Sequence, residues 1–86
     1  MGKLAPFEPV LSGKALAFML SVNKRQQRRI SDLLFSLADY PYQPGDYESK
    51  DDAGRSIQHL RIADLMISYW PDDSCRELRI TEIDHV

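Results

Sequence analysis

The spacing of apolar residues changes period along the chain, from helical in the first half to alternating in the last third. Phe7–Leu11 is a short apolar piece interrupted by Pro9, which suits only an edge strand. Ser12 has the chemistry of a helix N-cap, with Leu11 and Leu16 spaced for a hydrophobic staple around a short helix at Ala15–Leu20. Asn23 followed by Gln26 gives a second cap signal, close to a capping box. Ile30, Leu33, Leu34 and Leu37 then repeat at i, i+3, i+4, i+7 and fall within about 100° of arc on a helical wheel. Lys24, Arg25, Arg28 and Arg29 fall on the opposite side. The second helix should therefore bury an aliphatic stripe and show a basic one. Tyr40-Pro41 ends it, because a residue before proline avoids the helical region.

Residues 41–55 read as a loop. It contains the turn signal Pro44-Gly45-Asp46 and the acidic residues Asp46, Glu48, Asp51 and Asp52, and Gly54 closes it. Three segments of strand length follow, Ile57–Ile62, Leu65–Trp70 and Arg76–Ile83, separated by short turns. Strict alternation puts Leu60, Ile62, Leu65, Ile67, Tyr69, Leu78 and Ile80 on one face, against the helices. The other face then carries Ile57, His59, Arg61, Met66, Ser68, Trp70, Glu77, Arg79, Thr81, Ile83 and His85. Helices followed by strands imply an α+β domain, with two N-terminal helices packed on one face of a three- to four-stranded antiparallel sheet.

The 86 residues suffice for one small domain, 1–86, and no more. With 43% hydrophobic residues and a net charge of −2, the composition is that of a folded chain. The longest apolar run, Ala15–Leu20, is far short of the roughly 20 residues of a membrane helix. Met1–Leu11 has no apolar core of a signal peptide, and Cys75 stands alone, so the expected setting is reduced and cytoplasmic, without a membrane. Charge is uneven: residues 1–38, with Lys3, Lys14 and the helical stripe, carry about +4, and the rest about −6. No metal or cofactor is implied. The acidic loop lacks the spacing of a calcium loop, and no phosphate-binding or zinc motif occurs.

The run His59-Leu60-Arg61-Ile62-Ala63-Asp64-Leu65-Met66-Ile67-Ser68-Tyr69 resembles the signature hairpin of the RelE/ParE toxin superfamily, Arg-x-Arg-Val-Gly-Asp-Tyr-Arg-Val-x-Tyr. Arg61, Asp64 and Tyr69 match it, and Met66 departs from it at an arginine position. Leu33–Pro41 resembles the end of the family's second helix, and Ile83-Asp84-His85-Val86 its closing Ile-Gly-His-Arg. The resemblance spans roughly residues 7–86 and is that of a divergent member. It implies the toxin of a type II toxin–antitoxin pair, held by a cognate antitoxin protein. RelE-like members cut messenger RNA on the ribosome, whereas ParE-like members act on DNA gyrase.

Cutting RNA without a metal needs a base for the 2′-hydroxyl, a cation for the charge growing on the phosphate and an acid for the leaving oxygen. His85 is the acid–base candidate, because histidine titrates near neutrality and the position matches the family histidine. A histidine this near the end of the chain is as readily a frayed surface residue. Arg61 and Arg79 are the phosphate-clamp candidates, with pairing to cross-strand Glu77 or Glu82 as the structural alternative. Lys24, Arg25, Arg28, Arg29, His59 and Trp70 are candidates for RNA or partner contact. Tyr69 points to the core. Met66 stands where a transition-state donor is expected, and losing one such donor costs on the order of 100–1000-fold in rate. Two functions stay open: a ribosome-dependent mRNA endonuclease of weakened activity, and a non-catalytic protein of this fold that inhibits gyrase or mainly binds its antitoxin. An edge strand and Trp70 also leave room for a homodimer or for strand addition.

Overall fold

The computed structural model describes residues 6–86; residues 1–5, with Lys3 and the start of the expected 1–86 domain, lie outside the described residues. The elements in chain order are β1 (Glu8–Leu11), α1 (Gly13–Ser21), α2 (Lys24–Ala38), β2 (Tyr47–Lys50), β3 (Ser56–Ile62), β4 (Leu65–Asp72) and β5 (Glu77–His85). The class is α+β, as the pattern requires. One sheet runs in the order β1-β5-β4-β3-β2. No helix among the described residues is long and apolar enough to cross a membrane.

Both helices start where the caps place them. The Ser12 hydroxyl accepts from the Ala15 amide at 3.1 Å and donates to the Thr81 carbonyl at 2.8 Å, tying the start of α1 to β5. Asn23 Oδ1 accepts from the Gln26 amide at 2.9 Å. The reciprocal half of the capping box does not form, because Gln26 Oε1 accepts from Arg29 Nη1 at 3.0 Å. Gln27 turns back toward α1. Its Nε2 donates to the Met19 and Val22 carbonyls at 2.9 and 3.3 Å, satisfying acceptors that the end of α1 leaves open. The staple stays open too, since Leu11 packs on the core while Leu16 is 47% exposed.

The core lies between the α2 stripe and the helix-side face of the sheet. Ile30, Leu34, Leu37 and Ala38 meet Leu65, Ile67, Tyr69, Leu78, Ile80 and Ile83, with Phe7 and Ala15 closing one side. Each such aliphatic side chain, fully buried, stabilises by about 1.5–3 kcal/mol. Tyr69 is buried with its hydroxyl donating to the Gln43 carbonyl at 2.8 Å, and burial pushes its phenol above the usual range. Its polar end therefore has a partner, as a buried hydroxyl requires.

Three differences from the sequence pattern shape the site. The sheet has five strands and is mixed: β1 is indeed an edge, but it runs parallel to β5, Glu8 beside Glu77 and Leu11 beside Ile80. The segment read as a loop contains β2, which pairs antiparallel with β3 from Tyr47–His59 to Lys50–Ser56. Asp51 closes that hairpin, accepting from the Ala53 and Arg55 amides at 2.9 and 2.8 Å. Gly54 takes the left-handed backbone conformation there, φ 82°, which favours glycine. Lastly, β5 is bulged. Ser68 faces Glu82 but Tyr69 faces Ile80, so Thr81 is one residue too many. Beyond it the faces exchange. Ile83 and His85, expected on the open face, lie on the helix side, and Glu82 and Asp84 take the open face. The cause is the pair Thr81-Glu82 between two apolar residues, Ile80 and Ile83, which a regular strand cannot both bury.

Candidate functional site

None of the described elements covers the face of the sheet away from the helices, and register fixes what that face shows. Tyr47, His59, Ser68 and Glu82 form one cross-strand row through β2, β3, β4 and β5. Arg61, Met66 and Asp84 form the neighbouring row toward the β3–β4 turn. Trp70 lies beside Arg79 on the other side of His59's row, with Ser49 beside Ile57. Ile57 is buried although it belongs to this face.

His59 is the best-held polar group there. Its Nε2 lies 2.7 Å from the Ser49 hydroxyl and its Nδ1 lies 2.8 Å from the Ser68 hydroxyl. The Tyr47 ring stacks on the imidazole, centroids 4.5 Å apart and planes 8° from parallel. Ser68 is a buried polar residue, 4% exposed, whereas Ser49 sits on an exposed edge strand. The strand is placed by Pro44–Asp46: the Asp46 amide donates to the His59 carbonyl at 2.7 Å, and Asp46 Oδ2 accepts from the Arg61 amide at 2.7 Å.

Arg61 and Arg79 both reach the open face, but their surroundings differ. Arg61 is exposed; its Nε donates to the Ala63 carbonyl at 3.2 Å, and it makes no ion pair among the described residues. Arg79 pairs with Glu77 at 2.9 Å and Asp72 at 3.4 Å. Glu77 is thus the carboxylate expected for it, but it lies on the same strand, and the partner across the sheet is Asp72 of β4, not Glu82. Its Nε is buried without a hydrogen-bond partner. Trp70 is half-buried, with the Arg55 guanidinium 4.1 Å above its ring. Arg55, Trp70, Asp72 and Arg79 line an open pocket of about 420 Å³ with Val10 and Thr81.

His85 does not join this group. It stands on the helix side with its ring 4.9 Å from that of Phe18, and the next residue's amide donates to the Asp64 carbonyl at 3.0 Å. The bulge at Thr81 carries it there, so the expected trio of Arg61, Arg79 and His85 does not share one surface. The basic stripe is also separate. Lys24, Arg25 and Arg28 are exposed on the side of α2 away from the core, while Arg29 is partly buried and pairs with Asp64 at 3.0 Å.

The acidic residues of the open face are partly compensated. Glu82 accepts an ion pair from Lys14 at 3.2 Å. A hydrogen bond from Asp84, then the Lys14 ammonium, holds the Glu82 carboxyl below its usual range; the same contact with Glu82 raises Asp84. Asp72, Cys75 and Glu77 bring ligand atoms within 4.8 Å of one another, but Arg79 already pairs with both carboxylates and Ser74 donates to Asp72. That trio is therefore satisfied by protein groups. Sequence reasoning misses Ser49, Tyr47 and Arg55, because Tyr47–Lys50 carries no apolar alternation and Arg55 lies at the end of the expected loop.

The two helices over a mixed sheet repeat an arrangement seen in solved structures. A chain of the toxin–antitoxin complex RelBE2 from Mycobacterium tuberculosis superposes with a TM-score of 0.75 at 17% identity, over 95% of this chain and 100% of that one. The archaeal RelE–RelB complex from Pyrococcus horikoshii gives 0.66 at 13% identity, over 94% and 96% of the two chains. The intact RelBE toxin–antitoxin complex of E. coli gives 0.60 at 14% identity, over 95% and 98%. No family model matches the sequence, and no curated protein does. At such identities the likeness is one of fold: this chain has the RelE fold.

Proposed function

We propose that this chain is the toxin of a type II toxin–antitoxin pair. In this reading it inhibits translation as a RelE-like, ribosome-dependent mRNA endonuclease of weakened activity. Its partners are a cognate antitoxin protein and, in the cytoplasm, the ribosome with its message. The observation that carries the reading is the RelE fold over nearly the whole chain, in structures named as toxin–antitoxin complexes. A sheet face that no described element covers, with Arg61 in no ion pair among the described residues and beside a doubly hydrogen-bonded His59, supports it. A guanidinium of this kind grips a phosphate through two nitrogens.

Two features limit catalysis. Met66 supplies no charge beside Arg61, and Arg79 is occupied by Asp72 and Glu77. They also favour a second reading, a non-catalytic protein of this fold that binds gyrase or chiefly its antitoxin. Induced expression in a bacterial host separates the two. The nuclease reading expects growth arrest with translated messages cut inside their reading frames, and loss of both with Arg61→Ala. Arrest with intact messages selects the second reading, and growth without arrest removes the toxin function altogether.

A further inference from the structure

We propose that His59, in place of His85, is the proton acceptor of the open face. Its Nδ1–H is anchored on Ser68, and its Nε2 is presented to a ribose 2′-hydroxyl that displaces the hydroxyl of Ser49. The inference rests on the reading of the chain as an RNA-cutting toxin and deepens it by assigning the group that activates the nucleophile.

The two hydroxyls on His59 are not equivalent. Ser68 is buried on β4, between two paired strands, and fixes one ring nitrogen. Ser49 is exposed on the edge strand β2, and its hydroxyl occupies the outer nitrogen at 2.7 Å. A ribose hydroxyl offers the same donor geometry, so substrate can replace Ser49 without rebuilding the ring's position. The Tyr47 ring, stacked 8° from parallel, covers one face of the imidazole and holds its plane. A serine hydroxyl can accept or donate; in this proposal Ser68 accepts from Nδ1–H, which leaves the Nε2 lone pair for the incoming proton.

The charges around His59 suit the step. Arg61 lies two residues on along the same face of β3 and can hold the phosphate next to the attacking hydroxyl. Glu82 closes the row beyond Ser68 and compensates an imidazolium; Asp84 and Lys14 stand behind it, and Tyr47 faces the ring from β2. The 2′-hydroxyl gives its proton to Nε2 as O2′ bonds to phosphorus. The bond from phosphorus to O5′ breaks, O5′ takes a proton from water, and the imidazolium returns its own to the hydroxide left behind. The products are a 2′,3′-cyclic phosphate and a 5′-hydroxyl. Ser68 is a positioning residue, since it acts on substrate only through His59.

The test uses the purified chain on ribosomes programmed with a message, together with nitrogen-15 NMR of the histidine rings. His59→Gln should lower the cleavage rate by about 100-fold or more, and His85→Gln by less than about tenfold, given the usual weight of a general base. Ser68→Ala should slow cleavage and displace the acidic limb of its pH profile, which a purely structural serine leaves in place. The His59 ring should carry its proton on Nδ1 in the unmodified chain and lose that preference in Ser68→Ala. Cleavage by His59→Gln within tenfold of the parent overturns the proposal, as does an Nε2–H ring in the unmodified chain. A parent chain that leaves programmed messages intact overturns the nuclease reading and the substrate assigned here. The NMR measurement still separates that failure from a failure of the His59 geometry.

Discussion

The Arg55 guanidinium lies 4.1 Å above the Trp70 ring, which joins the β2–β3 hairpin to the middle of the open face. Asp51 steers it there, accepting from Arg55 Nε at 2.8 Å. An exposed cation–π contact stabilises by about 0.5–1 kcal/mol. Arg55→Ala should therefore lower stability by about that much in urea titration. Trp70 is the chain's one tryptophan, so its fluorescence should shift to the red as water replaces the guanidinium.

The bulge at Thr81 makes a prediction that separates the two faces. Ile83 is 2% exposed among core residues, whereas Met66 stands half-buried on the open face. Ile83→Ala should cost about 2–5 kcal/mol, as truncation of a buried isoleucine does. Met66→Ala should cost clearly less, under about 1.5 kcal/mol, because water can fill the space. Thermal or urea unfolding of the two variants measures both. Equal costs would place Ile83 on the open face after all.

Much of this architecture is written locally. Ser12 and Asn23 cap the helices at the expected residues, and the stripe Ile30, Leu34 and Leu37 is buried as its spacing requires. The central strands are legible for the same reason: Leu65, Ile67 and Tyr69 alternate against one core. β2 is not legible, because all four of its residues are exposed and its pairing is decided by the Asp46 and Gly45 backbone contacts to β3. The bulge is hidden for a different reason. Alternation assumes one residue per step, and a single extra residue at Thr81 reverses everything after it. Alternation therefore puts His85 on the wrong face, while it places His59 and Ser68 correctly and cannot place Ser49 at all.

Two acidic residues should respond to pH with opposite signs. The Arg29 guanidinium, hydrogen-bonded to Asp64, holds that carboxyl below its usual range. A depressed folded-state pKa contributes stability above the unfolded value, about 3.9, that is lost as pH falls through the folded one. Asp84 is raised by its hydrogen bond with Glu82, so its contribution is present in acid and lost as pH rises through the folded pKa. Asp64→Asn should thus destabilise at neutral pH and become indistinguishable from the parent in acid. Asp84→Asn should stabilise at neutral pH, and its advantage should shrink on acidification. Melting temperatures across pH 3–7, roughly the carboxylate range, check both.

Gly45 shows where backbone space, and not conformation, dictates a glycine. A Cβ built there would lie 2.5 Å from the His59 carbonyl oxygen and 2.7 Å from its carbonyl carbon, both of them backbone atoms that cannot swing away. The Gly45 amide also donates to Gln58 Oε1 at 2.8 Å, so the turn cannot back off without losing that bond. Gly45→Ala should therefore destabilise by about 1–3 kcal/mol, the usual cost of overpacking. It should also disturb His59, whose carbonyl accepts from the neighbouring Asp46 amide. Gly13, at the start of α1, meets nothing within 4 Å of an added Cβ. Gly13→Ala should then be neutral or stabilise by up to about 1 kcal/mol through helix propensity. Urea titration gives both energies, and the His59 ring resonances report the local displacement. A Gly45→Ala chain as stable as the parent, with those resonances unmoved, would show that the turn before β2 does not hold the strand that carries Ser49 and Tyr47 against His59.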